Sequence, residues 1–176
     1  MIKPKFSIIP HYTFRKVTDI TVGFLERLDI KFLMLDLDNT IAAYDEHVLS
    51  EDVSLWIDDI RNSGIELFLI SNSTRKNRVE TFAKSIDVEF IMKSYKPSPV
   101  SLLKAMEIKG YSSGESALAG DQVFTDALAA NRAGVVSMIV RPRRFTNPFL
   151  VLRYCFEVPF RAMSKNRAAT SKPDSN

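Results

Sequence analysis

The chain has 176 residues, one cysteine and a net charge of +3. That length suits one domain rather than two, and a chain of this size buries roughly 70% of its unfolded surface, so no covalent staple is needed. The single Cys155 excludes an internal disulfide and fits a reducing compartment, and no apolar run approaches the ~20 residues that span a bilayer.

The first predicted unit is an N-terminal flank over 1–31. Phe6, Ile8, Ile9, Tyr12 and Phe14, then Ile20, Val22, Phe24, Leu25 and Leu28, make it too apolar for disorder. It is expected to pack on the core or to face a membrane. Met1-Ile2-Lys3-Pro4-Lys5 lacks the apolar stretch of a secretion signal, so the expected location is cytoplasmic. The core is expected over 32–147 and opens with an apolar strand over 32–36. Asp36-Leu37-Asp38-Asn39-Thr40 leaves its end. Two carboxylates two residues apart on extended backbone point the same way. Such anions repel unless a cation joins them, and oxygen-only ligands suit Mg²⁺. A turn capped by an Asp side chain is the plainer reading of the same pentapeptide.

A helix is predicted over 51–63, with Gly64 ending it, and then a strand over 66–70. Ser71-Asn72-Ser73 follows. Hydroxyl and N–H groups between a strand and a helix hold phosphate oxygens, or they merely cap the helix predicted over 75–86. A third strand, 88–92, precedes Lys96-Pro97. Ser98 and Pro99 are expected to start a helix running to 109. A fourth strand, 116–119, ends in Gly120-Asp121-Gln122-Val123-Phe124-Thr125-Asp126. A helix over 122–133 and a strand over 135–140 complete the core. The alternation implies an α/β fold, a mostly parallel five-stranded sheet with helices on both faces. Four polar clusters thus sit beyond strand ends, where open α/β sheets bind ligands.

The C-terminal segment 148–163 reads as a basic and aromatic helix, with Pro148 at its start and Pro159 ending or kinking it. Residues 164–176 are polar and basic, and are expected to be disordered. Charge is uneven: six Lys/Arg against three acids over 1–31 give +3, ten against sixteen over 32–140 give −6, and eight against two over 141–176 give +6. Basic flanks are either solvated or a footprint for an anionic partner.

The four clusters resemble, in order and placement, the four motifs of the haloacid dehalogenase (HAD) superfamily of phosphatases. The Asp-x-Asp-x-Thr stretch, Ser71-Asn72-Ser73, Lys96 and the Gly-Asp-x-x-x-x-Asp stretch carry the likeness. More narrowly they resemble the YqeG-type subfamily, related to phosphatidylglycerophosphate phosphatases. The resemblance implies a Rossmann-like sheet in strand order 5-4-1-2-3 and an aspartyl-phosphate mechanism. It makes Asp36 the nucleophile and Asp38 the general acid and base. It assigns Asp36, Asp121 and the backbone carbonyl of Asp38 to Mg²⁺, and Ser71, Asn72 and Lys96 to the substrate phosphate. Asp126 is expected to orient metal-bound water, or to act as an acid at a helix N-terminus.

Neither Ile41 to Glu66 nor Ser73 to Lys96 has room for a cap domain, so the site is expected to be open. An open site admits a phosphate carried on a large body. The expected partner is a phosphorylated lipid headgroup, with peripheral contact on the inner face of an anionic membrane through Arg141, Arg143, Arg144, Arg153 and Arg161 and the aromatic residues among them. No nucleic-acid partner is expected. The alternatives are a soluble phosphatase for nucleotides, sugar phosphates or phosphoproteins, and a scaffold that keeps the fold without the chemistry.

Overall fold

The computed structural model describes residues 6–164 and 166–167. Seven parallel strands form one sheet: β1 (Tyr12–Phe14), β2 (Phe32–Leu35), β3 (Glu66–Ile70), β4 (Phe90–Ile91), β5 (Ser116–Gly120), β6 (Val136–Val140) and β7 (Asn166–Arg167). Their order is β4-β3-β2-β5-β6-β1-β7. The five core strands therefore stand in the expected order, and the sheet gains two short strands at the β6 edge. β1 pairs with β6 through Thr13 opposite Ile139, and β7 pairs with β1. A three-residue strand carries too little alternation to be read from sequence. Of the tail expected to be disordered, only Ser164 and β7 lie within the described residues.

The central strands are buried on both faces, as continuous apolar runs in a covered parallel sheet should be. β2 is buried along its whole length. Leu33 and Leu35 face one layer, with α1 (Val22–Arg27), α2 (Glu51–Asn62) and α3 (Lys76–Ser85). Phe32 and Met34 face the other, with α4 (Val100–Lys109) and α5 (Leu128–Ala133). Period-two alternation along the strands thus feeds two separate cores.

Local chemistry sets several boundaries. Gly110 and Gly134 end α4 and α5 with positive φ, where a Cβ would be strained. α4 begins at Val100, one residue later than expected, and the Ser98 hydroxyl accepts from the Val100 N–H at 3.4 Å. The helix predicted over 122–133 opens with a π-helical turn, Val123–Ala127, before α5. That wider turn lets Asp126 fold its carboxylate back onto the Gln122 N–H at 3.0 Å. α6 (Pro148–Ala162) is capped by Asn147, whose side chain accepts from the Leu150 N–H. Pro159 does not end it; α6 runs on to Ala162, and Arg161 in the last turn anchors to the Val140 carbonyl at 2.9 Å.

The N-terminal flank is tied to the core by buried polar contacts. Trp56 donates to the Ile20 carbonyl at 2.7 Å. Asn131 donates to the carbonyls of Ser7 at 2.6 Å and Ile9 at 3.0 Å, and accepts from the Ser137 hydroxyl. Removing that side chain strands two half-buried carbonyls and a buried hydroxyl, so Asn131→Ala should cost about 1–3 kcal/mol. Urea unfolding of both proteins checks this; a change well under 1 kcal/mol would mean that water replaces the amide without penalty.

Candidate active site

Because the strands are parallel, the carboxyl ends of β2, β3, β4 and β5 open on one side of the sheet. The segments that follow them place Asp36, Ser71, Lys96 and Asp126 around a cavity of about 400 Å³. Its lining includes Asp36, Asp38, Tyr44, Ser71, Asn72, Arg75, Lys96 and Asp126.

Asp36 is still hydrogen bonded into the sheet, its N–H donating to the Ala119 carbonyl at 2.9 Å. Its carboxylate accepts from the Thr40 hydroxyl at 3.1 Å and from the Lys96 ammonium at 2.7 Å. Lys96 Nζ also meets Asp126 Oδ1 at 2.8 Å and the Ile70 carbonyl at 3.0 Å. Two of its protons go to Asp36 and the Ile70 carbonyl, Asp126 faces it as an ion pair, and its side chain is 1% exposed. Asn72 sets that lysine: its Oδ1 accepts from the Lys96 N–H at 2.8 Å and from the Ser94 hydroxyl, while its Nδ2 donates to the Lys96 carbonyl at 3.0 Å. Asn72, expected on the substrate phosphate, lines the pocket, and its side chain organises the lysine loop. Ser71 is buried, and its hydroxyl accepts from the Ser73 N–H at 3.1 Å.

Oxygens of Asp36, Asp121 and Asp126 lie within 4.8 Å of one another. Both Asp126 oxygens are engaged, one by Gln122 and one by Lys96. Gly120 leaves the space for this carboxyl, since a Cβ there would stand 2.4 Å from Asp126 Cγ. Asp121 is fully buried; Oδ2 accepts from Arg153 Nη2 at 3.0 Å, and Oδ1 is a buried atom with no hydrogen-bond partner. Burial pushes the Asp36 carboxyl up to about 7, against the pull of Lys96. Burial also raises Asp121 well above the carboxylate range, helped by the charges of Asp126 and Asp36. Burial alone would lower the Lys96 ammonium, yet Asp126 and Asp36 hold it above its ordinary value. Crowded buried carboxylates with an orphaned oxygen fit a divalent cation, with Asp121 Oδ1 and Asp36 as the available donors.

Asp38 stands apart from this trio. Its Oδ1 is held by Arg78 Nε at 3.0 Å and by Arg75 Nη2 at 3.4 Å. Arg78 is itself fixed by the carbonyls of Glu46 and of Ala43 and by the Phe82 ring. Tyr44 adds a phenol that burial, with the charges of Asp121, Asp38 and Asp36, pushes up to about 12, so it stays a donor. Arg75, Arg78, Tyr44 and Arg153 were not read as site residues. The Arg75-x-x-Arg78 spacing at the start of a helix was the available signal. Of the five arginines expected at a membrane, four are ion-paired here, and Arg141 lies over the Phe145 ring. Arg143 and Arg144 meet Glu46 and Asp45, and Arg153 and Arg161 turn inward.

A pocket where an ammonium, hydroxyls and buried carboxylates converge has the chemistry to take an oxyanion. Taken with the sheet order, it makes the chain a phosphatase of the HAD class, a phosphoric monoester hydrolase. The sequence profile described as "Mitochondrial PGP phosphatase" matches residues 1–143, and the chain belongs to that family. It is 27% identical over 164 residues to "Probable phosphatase YqeG" of Bacillus subtilis (strain 168), covering 93% of each chain. It is 25% identical over 167 residues to "Phosphatidylglycerophosphate phosphatase 1, chloroplastic/mitochondrial" of Arabidopsis thaliana, covering 86% of this chain but 46% of that one, so it spans under half of that relative. Among solved structures, the 3-deoxy-D-manno-octulosonate 8-phosphate phosphatase of Moraxella catarrhalis, in complex with a magnesium ion, phosphate ion and KDO molecule, shares the fold. That likeness has a TM-score of 0.50 and 14% identity, over 69% of this chain and 83% of that chain.

A cation must displace protons from these raised carboxyls. Its affinity should therefore hold on the alkaline side of about pH 7 and fall on the acid side as Asp36 protonates. For each proton displaced, calorimetric titration with Mg²⁺ should show about a tenfold loss per pH unit. An affinity flat across that range would exclude Asp36 as a ligand.

Proposed function

We propose that the chain is an Mg²⁺-dependent phosphomonoester hydrolase that works through an aspartyl-phosphate on Asp36, with phosphatidylglycerophosphate as its substrate. The observation that carries this is the buried, unpartnered Asp121 Oδ1 beside Asp36. It calls for a cation where a phosphoryl group would meet the attacking carboxylate. Asp36 and Asp121 would hold Mg²⁺, which when bound neutralises charge on the phosphoryl oxygens. Asp36 attacks phosphorus, and the bond to the leaving alcohol breaks. Asp38 gives that oxygen a proton, then takes one from water, which attacks phosphorus, releases phosphate and restores Asp36. Lys96 supplies positive charge at the nucleophile. The Ser71 loop offers its groups to the phosphate oxygens. Arg75 and Arg78 fix the direction of the Asp38 carboxylate.

The substrate reading rests on enclosure and on kinship. Only a loop and α2 lie between Thr40 and β3, and only a loop, α3 and β4 between Ser73 and Lys96, so no cap closes over a small molecule. The family is named for phosphatidylglycerophosphate, and so is the Arabidopsis relative. A phosphate on a bilayer surface enters an uncovered pocket without the lipid leaving its leaflet.

Asp36→Asn keeps the shape and removes the nucleophile, so phosphate release from phosphatidylglycerophosphate vesicles should fall at least ~10³-fold with an unchanged circular dichroism spectrum. EDTA should abolish wild-type release, Mg²⁺ should restore it, and Ca²⁺ should not, because its longer bonds and extra ligands misplace in-line attack. Substantial turnover by the variant, or by the chelated enzyme, would reject the mechanism. Turnover of soluble sugar phosphates but not of the lipid would reject the substrate.

A further inference from the structure

α6 is built the wrong way round for a helix on a water-facing surface. Its charged residues point inward. Arg153, Glu157 and Arg161 recur every fourth position along one face and join Asp121. Arg153 Nη2 meets Asp121 Oδ2 at 3.0 Å and Arg153 Nε approaches Glu157 Oε1 at 3.8 Å. Arg161 Nη2 meets Glu157 Oε2 at 2.7 Å and the Asp121 carbonyl, while its Nη1 donates to the Val140 carbonyl. Glu157 is fully buried. The solvent-facing side of the helix, next to this ladder, carries an apolar stripe. Phe149 is 72% exposed, Leu152 56% and Phe156 64%, with Met163 continuing the same line. A 3-4-7 spacing places these side chains on one side of a helix.

Such a stripe loses free energy in water and needs a cover. The charge around it says which. From Arg141 to Met163 the only acid is Glu157, which is buried, so no carboxylate on α6 faces outward. Arg141 and Arg144 stand exposed just before its N-terminus. An apolar and aromatic face that carries no outward carboxylate, with Arg141 and the Arg144–Asp45–Glu46 cluster at its edge, matches the boundary between headgroups and acyl chains of an anionic bilayer. We infer that α6 is a two-sided docking helix, whose outer Phe149–Leu152–Phe156 stripe seats on an anionic lipid surface while its inner Arg153–Glu157–Arg161 ladder holds Asp121 in position. This rests on the lipid reading of the substrate and gives it a physical route. The element that touches the bilayer is the one that grips the cation-binding loop. Arg153 is a positioning residue: it fixes one Asp121 oxygen so that the other is presented to the cation.

Flotation with vesicles of phosphatidylglycerol and phosphatidylcholine, which contain no phosphomonoester, tests the outer face. The wild-type chain should float at low salt, and the Phe149→Ser, Leu152→Ser, Phe156→Ser triple variant should bind at least about tenfold more weakly. The triple variant should hydrolyse a soluble aryl phosphate within about twofold of wild type, since none of the three touches the pocket. Arg153→Gln tests the inner face: it should still float, but calorimetric Mg²⁺ affinity should fall about tenfold, with Arg153→Lys restoring part of it. Wild-type protein that stays unbound, or a triple variant that floats equally well, overturns the docking. Equal binding to pure phosphatidylcholine overturns the choice of an anionic surface. A wild-type dimer by sedimentation that the triple variant turns into a monomer assigns the stripe to a second copy and overturns the lipid assignment. Unchanged Mg²⁺ affinity in Arg153→Gln overturns the positioning role. Flotation without any release from phosphatidylglycerophosphate supports the docking and overturns the substrate reading alone.

Discussion

Negative charge that has been taken out of water organises this molecule. Asp36, Asp121 and Asp126 are buried within reach of one another, and each carboxylate would repel the next in a low-dielectric setting. The surrounding chain answers that repulsion group by group. Thr40 and Lys96 take Asp36, Gln122 and Lys96 take Asp126, and Arg153 takes half of Asp121. What is left over is Asp121 Oδ1. A buried ammonium set between two carboxylates needs a rigid frame, which Asn72 and Ser94 supply from the neighbouring loops. The missing Cβ of Gly120 supplies room for Asp126. Several loops from distant parts of the sequence are thus shaped around one electrostatic problem.

The sheet makes that concentration of charge possible. Parallel strands need crossovers, the crossovers place helices on both faces, and all strand ends of one sense then open on one side. Central strands that are buried along their whole length keep water from beneath the site. That raises the strength of each ion pair above them and the cost of leaving one unmade. The short connections leave the other side of the pocket open. The same design that makes the floor dry therefore leaves the roof to whatever carries the phosphate.

Much of the site was legible because its residues sit at strand ends. Phe32-Leu33-Met34-Leu35 marks a buried strand, and Asp36 and Asp38 follow it directly; the runs before Ser71 and Asp121 work the same way. The pattern was silent where tertiary contacts decide. β1 has three residues and pairs with a strand more than a hundred positions away, so no local alternation reveals it. The π-helical turn at Val123–Ala127 goes with Asp126 folding back on Gln122 into the space left at Gly120, contacts that local periodicity does not display. α6 is the instructive failure. Mixed arginines and aromatic residues suggested arginines outward, which is the ordinary arrangement. A buried carbonyl pair at Val140 and Asp121 and the unpaired charge of Asp121 reverse it. Orientation there is set by a partner in the fold that the helix's own sequence does not display.

The proposed chemistry needs a carboxylate oxygen of Asp36 to take the phosphoryl group. Rapid acid quenching during steady-state turnover of phosphatidylglycerophosphate, followed by peptide mass spectrometry, reads this directly. The account predicts a phosphoryl adduct on the peptide that carries Asp36, lost on exposure to alkali as an acyl phosphate should be. An adduct on any other residue, or none at any quench time while phosphate is being released, would contradict it.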